Sequence, residues 1–282
     1  MQRASLQEGN CGPQRNRILN YALLLYRRYV IVLEKKGIRR LSAFDKPLVS
    51  KQSEYMNVRP EEIEKESFSI ITRELHKRKI HIPYEYAPVV LRCIHTSADF
   101  EYAEILRFSP DVIPMAHEAL LSGPRIITDT KMGLYGINRE AVKACKGELH
   151  CYMEELEIAA EARLRGVSRS AVSMERACGE ALMQQGKEDP KPYIFVIGNA
   201  PAALLALDSL INEKENFRPA LIIAAPVGFV NVEYAKETIR DTLDRTGIPY
   251  ILSSGCKGGS NIAAAVINAL FFQVKDRIPK IK

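Results

Sequence analysis

The 282-residue chain has no tryptophan and no CxxC pair among its six cysteines. Nor does it contain an apolar run of the ~20 residues that a membrane span needs. Scattered thiols without a paired framework fit a reducing intracellular compartment, so the expected location is cytoplasmic and no membrane span is expected. Cys145, His150 and Cys151 lie close enough in sequence to suggest metal ligands, but a fourth ligand and a known spacing are both missing, so no metal site is expected. The phosphate-binding patterns are absent too. No GxGxxG follows the first strand and no GxxxxGK[ST] occurs, which disfavours a nucleotide-dependent enzyme. There is no G-x-S-x-G elbow and no Ser-His-Asp order for nucleophilic catalysis. No aromatic-interleaved basic stripe is present, and no nucleic-acid partner is expected.

The net charge of +6 does not describe the chain evenly. Residues 1–50 hold ten Lys/Arg against three Asp/Glu, a net of +7, which leaves −1 for the remainder. The basic character therefore belongs to an N-terminal extension, and the domain boundary is placed between 1–50 and 51–282. The extension contains "RILNYALLLYRRYVIVLEKKGIRRL", with apolar residues at helical spacing broken by Arg27 and Arg28. Three readings stay open: a helix docked on the body or a partner, a basic surface-binding helix, or a poorly ordered leader. No small-residue cleavage site follows the apolar stretch, so a secretion signal is not expected.

Helical text comes first in the main body. "RPEEIEKESFSIITRELHKR" opens with proline and acids and closes with bases, and Ile63, Ile70, Ile71 and Leu75 are its expected buried face. A second helix is expected from Pro88 to about His95. From Pro124 the pattern alternates. Short apolar runs stand at "RIITDT", "ELHCYM", "PYIFVIGNA", "PALIIAAPVGFV" and "IPYILSSG", with helical segments between and after them. This predicts an α/β fold with a doubly wound, mostly parallel five-stranded sheet and helices on both faces, preceded by N-terminal helices.

Ligands of such sheets bind outside the carboxyl ends of the strands. The loops expected there are "DTKMGLYGIN" (129–138), "GNAP" (198–201), "PVGFVN" (226–231) and "GCKGGSN" (255–261). Their glycines permit close backbone approach. Asn199, Asn231 and Ser260 stand where helices begin and are expected as N-caps. Helix N-termini gathered at one edge suit carboxylates or phosphates. One histidine, His95, ends the apolar run "VVLRCIH". On spacing alone it reads as a packed residue before it reads as a proton donor.

Taken together, "RPEEIEKESFSII", "IHTSADF", "IITDTKMGLYGINR", "VSRSAV", "FVIGNAPAAL", "PALIIAAPVGFVNVEYAKE" and "GCKGGSNIAAAVINAL" resemble segments of the precorrin-8X / cobalt-precorrin-8 methylmutases of corrin (vitamin B12) biosynthesis. The likeness covers about residues 52–275. It implies an isomerase that moves a methyl group from C-11 to C-12 of the macrocycle, giving hydrogenobyrinate or its cobalt counterpart cobyrinate. It implies a homodimer with each pocket near the subunit boundary, a polycarboxylated corrinoid as substrate, and no cofactor, since any cobalt belongs to the substrate. His95 matches the family's catalytic histidine. As a general acid it would protonate a ring nitrogen, from the last turn of a helix where carbonyls favour a cation. Ser67 matches a substrate-contacting serine, and Thr96 is placed to hydrogen-bond near His95. Arg169 would clamp a carboxylate side chain of the macrocycle. Asp129, Met132, Gly136, Asn199, Gly228, Lys257, Gly259 and Ser260 are the further substrate-binding candidates.

The chain departs from the family pattern in places. Cys256 stands where an arginine is usual, Tyr234 and Ala235 replace a carboxylate and a hydroxyl, and Gly133 replaces a valine. These changes bear on substrate affinity more than on reaction type. The alternative reading is a tetrapyrrole-binding or carrier protein on the same fold that has lost turnover.

Overall fold

The computed structural model describes residues 60–184 and 190–277. The extension 1–50 and the boundary expected at its end lie outside the described residues. Two helices, α1 (Pro60–Lys77) and α2 (Ala87–Ser97), and a single turn, α3 (Tyr102–Ile105), lead into strand β1 (Leu106–Phe108). Then come α4 (Val112–Leu121), β2 (Arg125–Thr128), α5 (Lys131–Gly136), α6 (Arg139–Ala144) and β3 (Glu148–His150). A 3-10 turn (Tyr152–Glu154) precedes α7 (Leu156–Arg165) and α8 (Arg169–Gln184). The remainder is β4 (Tyr193–Ile197), α9 (Pro201–Glu213), β5 (Leu221–Ala224), α10 (Val232–Thr246), β6 (Tyr250–Ser253) and α11 (Ser260–Val274).

The strands form one sheet in the order β1-β6-β5-β4-β2-β3. β2 to β6 are parallel, and the near-continuous apolar text of β2, β4, β5 and β6 is that of strands covered on both faces. The expected sheet of five strands is corrected to six. β1 joins antiparallel to β6, with Leu106 opposite Ser253 and Phe108 opposite Ile251. Three residues, Leu-Arg-Phe, are too few for alternation to show in the sequence.

Alternate residues of β2, β4, β5 and β6 feed two separate cores. Ile126, Ile194, Val196, Ile223 and Ile251 join one with α2, α4 and α11. Ile127, Phe195, Ile197, Ile222 and Leu252 join the other with α8, α9 and α10. The period of two along a strand is what divides them. Helix α11, with Ile262 to Leu270 almost wholly buried, is the spine of the first layer and packs against α2, α4 and α5. Helix α1 sits more lightly than its pattern predicts. Ile71 and Leu75 are buried, but Ile63 and Ile70 are exposed, because α1 packs along a narrow stripe rather than a full face.

Ile267 is completely buried in α11. Ile267→Ala is expected to lower unfolding stability by about 2–5 kcal/mol, read from the urea midpoint at unchanged m-value.

Candidate functional site

The antiparallel direction of β1 decides where the histidine goes. Its first residue pairs with the last residue of β6, so the chain preceding it lies at the carboxyl edge of the parallel strands. The Ser254 N–H donates to the carbonyl of Ile105 at 2.8 Å, extending that junction. Within α2, Val89, Val90, Cys93 and Ile94 are buried, whereas His95 and Thr96 are exposed. The apolar run thus seats the helix and leaves the imidazole outside the core. Ala98 closes α2 in the left-handed conformation, and its N–H donates to the carbonyl of Ile94.

Helix α1 supplies the partner of His95. Ser67 Oγ lies 2.7 Å from His95 Nδ1. The Phe68 ring meets the imidazole edge-on, with centroids 5.6 Å apart. One turn earlier on both helices, Arg92 Nη2 donates to Glu64 Oε1 at 2.5 Å, and the Arg92 guanidinium lies over the Phe68 ring. The ion pair and the Ser67–His95 contact have the same sequence separation, so the two helices are fastened in register at successive turns. Thr96, expected to hydrogen-bond near His95, donates its hydroxyl to the Arg92 carbonyl at 2.8 Å, one turn back on the same helix.

The glycine-rich loops converge as expected, by means the sequence did not reveal. Asp129 is buried at the end of β2, and its carboxylate accepts the N–H groups of Gly198 (2.9 Å), Asn199 (2.8 Å) and Ala200 (2.7 Å). Burial pushes its pKa up and the three N–H donors oppose that push. Asp129 is therefore the brace of the GNAP turn and the cap of α9. Asn199 does not perform the capping role expected of it, since Ala200 is the N-cap and Asp129 supplies the acceptors; the Asn199 residue is exposed. Asn231 occupies the N-cap of α10 without a side-chain bond, and Gly259 takes the N-cap of α11. Ser260 lies just inside α11, where its hydroxyl meets Thr130 Oγ1 at 2.8 Å.

Two close backbone approaches weld the edge. A Cβ on Gly198 would fall 2.5 Å from Ser260 Cα, and one on Gly258 would fall 2.2 Å from the Ala225 carbonyl oxygen. The Gly259 N–H donates to that same oxygen at 2.8 Å, and the Gly228 N–H donates to the Cys256 carbonyl at 3.1 Å. Gly136 has a packing role, for its position faces Ala264 and its carbonyl accepts from Asn268 Nδ2.

Lys257 joins this edge to the histidine segment. Its Nζ donates to Asp99 Oδ2 at 2.5 Å and to Glu101 Oε2 at 2.6 Å. Those bonds raise the pKa of the lysine, and the Lys257 hydrogen bond lowers that of Asp99. The Tyr102 hydroxyl donates to the Gly258 carbonyl at 3.4 Å. So His95, Lys257, Gly259, Ser260, Gly228 and Asn199 share one edge, with Lys257 already occupied by two carboxylates. Met132, 69% exposed, stands on α5 after β2, and Phe229, Val230 and Tyr234 are exposed apolar groups beyond β5. Arg169 stands at the other end of the strand order, where its Nη1 donates to the Met153 carbonyl beside β3 at 3.4 Å. His150 pairs with Glu155 and meets the Tyr152 ring at a tilt, with centroids 4.0 Å apart, and Cys145 is buried. Among the described residues no group of three His, Cys, Asp or Glu is placed to hold a metal ion. None of the described helices is long and apolar enough to cross a membrane.

Sequence reasoning missed Glu64, Arg92, Asp99, Glu101, Thr130 and Lys236. Most reach partners far along the chain and leave no local signal. Lys236 is different: it falls on the apolar stripe Val232, Ala235, Ile239, Leu243 of α10, where a charge is out of place.

Comparison with known proteins places this geometry. The sequence model described as precorrin-8X methylmutase matches residues 62–273. A cobalt-precorrin-8 methylmutase of Priestia megaterium is 37% identical over 217 residues, covering 76% of this chain and 88% of that one. One of Salmonella typhimurium is 34% identical over 222 residues, covering 77% and 97%. The solved precorrin-8x methyl mutase of Thermus thermophilus aligns with a TM-score of 0.65 at 32% identity, over 77% of this chain and 99% of that one.

Asp129→Asn keeps the shape but leaves one acceptor oxygen for three N–H groups. The expected loss of stability is roughly 1–3 kcal/mol, read from the denaturation midpoint.

Proposed function

Since the chain belongs to the precorrin-8X methylmutase family, whose members are intramolecular methyl transferases, we propose that it moves the C-11 methyl group of cobalt-precorrin-8, or of metal-free precorrin-8X, to C-12. The observation that carries the assignment of roles is the 2.7 Å contact between Ser67 Oγ and His95 Nδ1 on an exposed face of α2. With Nδ1 engaged, Nε2 is the nitrogen left to face a substrate. The imidazolium donates its Nδ1–H to Ser67 and lends its Nε2–H to a basic atom of the conjugated macrocycle, a ring nitrogen where no metal occupies its lone pair. Protonation there draws electron density through the conjugated system as the methyl–C-11 bond breaks and the methyl–C-12 bond forms. The proton then returns, so substrate and product have one composition. Ser67 keeps the ring oriented in both protonation states, because Nδ1 carries its hydrogen throughout.

The rest of the edge holds the macrocycle in one shape, which is the other requirement of an intramolecular shift. Exposed Met132, Phe229 and Val230 offer apolar contact to its faces, Asn199 and Gly228 line its periphery, and the buried Gly259 and Ser260 hold the edge beneath them. Arg169, beside β3 at the opposite end of the strand order from His95, is kept for a carboxylate on the far periphery, taken by a bidentate bond. Asp129, Gly136 and Lys257 act by shaping the edge: the first two are engaged in packing and bracing, and Lys257 is held by Asp99 and Glu101. The chemistry assigned to the protein is proton placement and shape, with cobalt belonging to the substrate. A homodimer in the cytoplasm completes the proposal, supported by the family resemblance and by the apolar groups that remain uncovered along this edge.

His95→Ala is expected to lower turnover of cobalt-precorrin-8 by about 10²–10⁴-fold while retaining binding, both followed by the visible spectrum of the chromophore. Binding without any conversion by the unaltered protein would favour a carrier, and no binding would remove both readings. Ser67→Ala, which frees the ring to rotate, is expected to reduce kcat by roughly tenfold or more with little change in KM, as positioning losses do.

A further inference from the structure

Lys236 is a charge in an improbable place. It lies on the buried face of α10, 2% exposed, among Val232, Ala235 and Ile239. Its three ammonium hydrogens meet three neutral oxygens: Ser253 Oγ at 3.2 Å, the Gly255 carbonyl at 2.7 Å and the Lys257 carbonyl at 2.8 Å. None of these acceptors is a carboxylate. Burial lowers the lysine to about 8 against the opposing influence of Cys256 and Glu233, the expected sign for an ammonium removed from water. Such a group is expensive to bury, and it is retained only where its hydrogen bonds do something that an apolar side chain could not.

What they do is set a turn. The acceptors flank the reversal after β6, in which Gly255 takes a left-handed φ of 67°. Ser253 reinforces the same point by donating its hydroxyl to the Lys257 carbonyl at 2.9 Å. Fixing that carbonyl fixes the direction in which the Lys257 side chain leaves the backbone. It leaves toward Asp99 and Glu101, four and six residues beyond His95.

We propose that Lys236 is a positioning residue of the methylmutase site: by holding the carbonyls of Gly255 and Lys257 it aims the Lys257 side chain at Asp99 and Glu101, and so anchors the segment that follows His95. The inference rests on the reading of His95 given above. Lys236 touches no reacting atom and acts entirely through Lys257. An apolar replacement would fill the same space but withdraw the ammonium from both carbonyls, leaving that of Lys257 to the Ser253 hydroxyl alone.

The test uses the full chain with Lys236→Met, the milder Lys236→Gln, Lys257→Met and the double variant Lys236→Met/Lys257→Met. Hydrogen exchange is followed over residues 254–259, over 96–101 and over β4 as a control. Lys236→Met is expected to speed exchange in 254–259 and in 96–101 but not in β4, and Lys257→Met to speed it mainly in 96–101. With cobalt-precorrin-8, each single variant is expected to lose about 10²-fold in kcat, with KM changed far less. The double variant is expected to be no worse than the poorer single one, the non-additivity of residues that act in series. If Lys236→Met does not fold, Lys236→Gln carries the same expectations at smaller amplitude. The proposal is overturned if 96–101 exchanges normally in the Lys236 variants, if β4 loosens along with everything else, or if the losses in the double variant multiply. Should the unaltered protein convert no substrate, the functional reading fails, while the exchange pattern still decides whether Lys236 anchors the histidine segment through Lys257.

Discussion

Three residues running the wrong way organise this molecule. Because Leu106–Phe108 pairs antiparallel with β6, the chain before it arrives at the same edge where the five parallel strands discharge their loops. A parallel sixth strand would have delivered α2 and its histidine to the opposite edge. The pairing itself is small, and the polar fastenings around it do the remaining work. Ser254 reaches Ile105, Tyr102 reaches Gly258, and Lys257 bridges Asp99 and Glu101.

The edge is built by burying polarity and then satisfying it. Asp129 and Lys236 are opposite charges placed out of water, each answered by three hydrogen bonds to uncharged partners. One gathers N–H groups at the start of α9, and the other gathers oxygens at the turn before α11. Between them, the bare backbones of Gly198 and Gly258 press against neighbouring loops at distances no side chain would allow. A surface made this way is rigid without being apolar, which suits a ligand that must be held in shape by its periphery.

The sheet was legible because β2 and β4 to β6 are apolar runs of the kind that only strands covered on both faces carry, and β3 follows the same rhythm of turn and helix. The convergence of glycine turns followed from that topology. The exposed position of His95 was legible only by likeness, for the run "VVLRCIH" does not say which side of α2 meets the core. β1 was too short to show a period. The cap of α9 was not legible at Asn199, because a side chain 70 residues away supplies the acceptors. The same reason hid the engagement of Lys257, whose partners precede it by more than 150 residues. The misplaced charge of Lys236 was visible in the period of α10, where the eye follows the apolar residues and passes over the exception.

The lightness of α1 has a consequence of its own. Among its described residues, the helix that carries Ser67 commits Ile71 and Leu75 alone to the interior, so the hydrogen-bond partner of His95 is borne by an outrigger rather than by the hull. Sequence drift on that helix can retune the imidazole's attitude while the sheet's cohesion stays intact. Folding and the proposed proton delivery are thereby left free to evolve on separate parts of one chain.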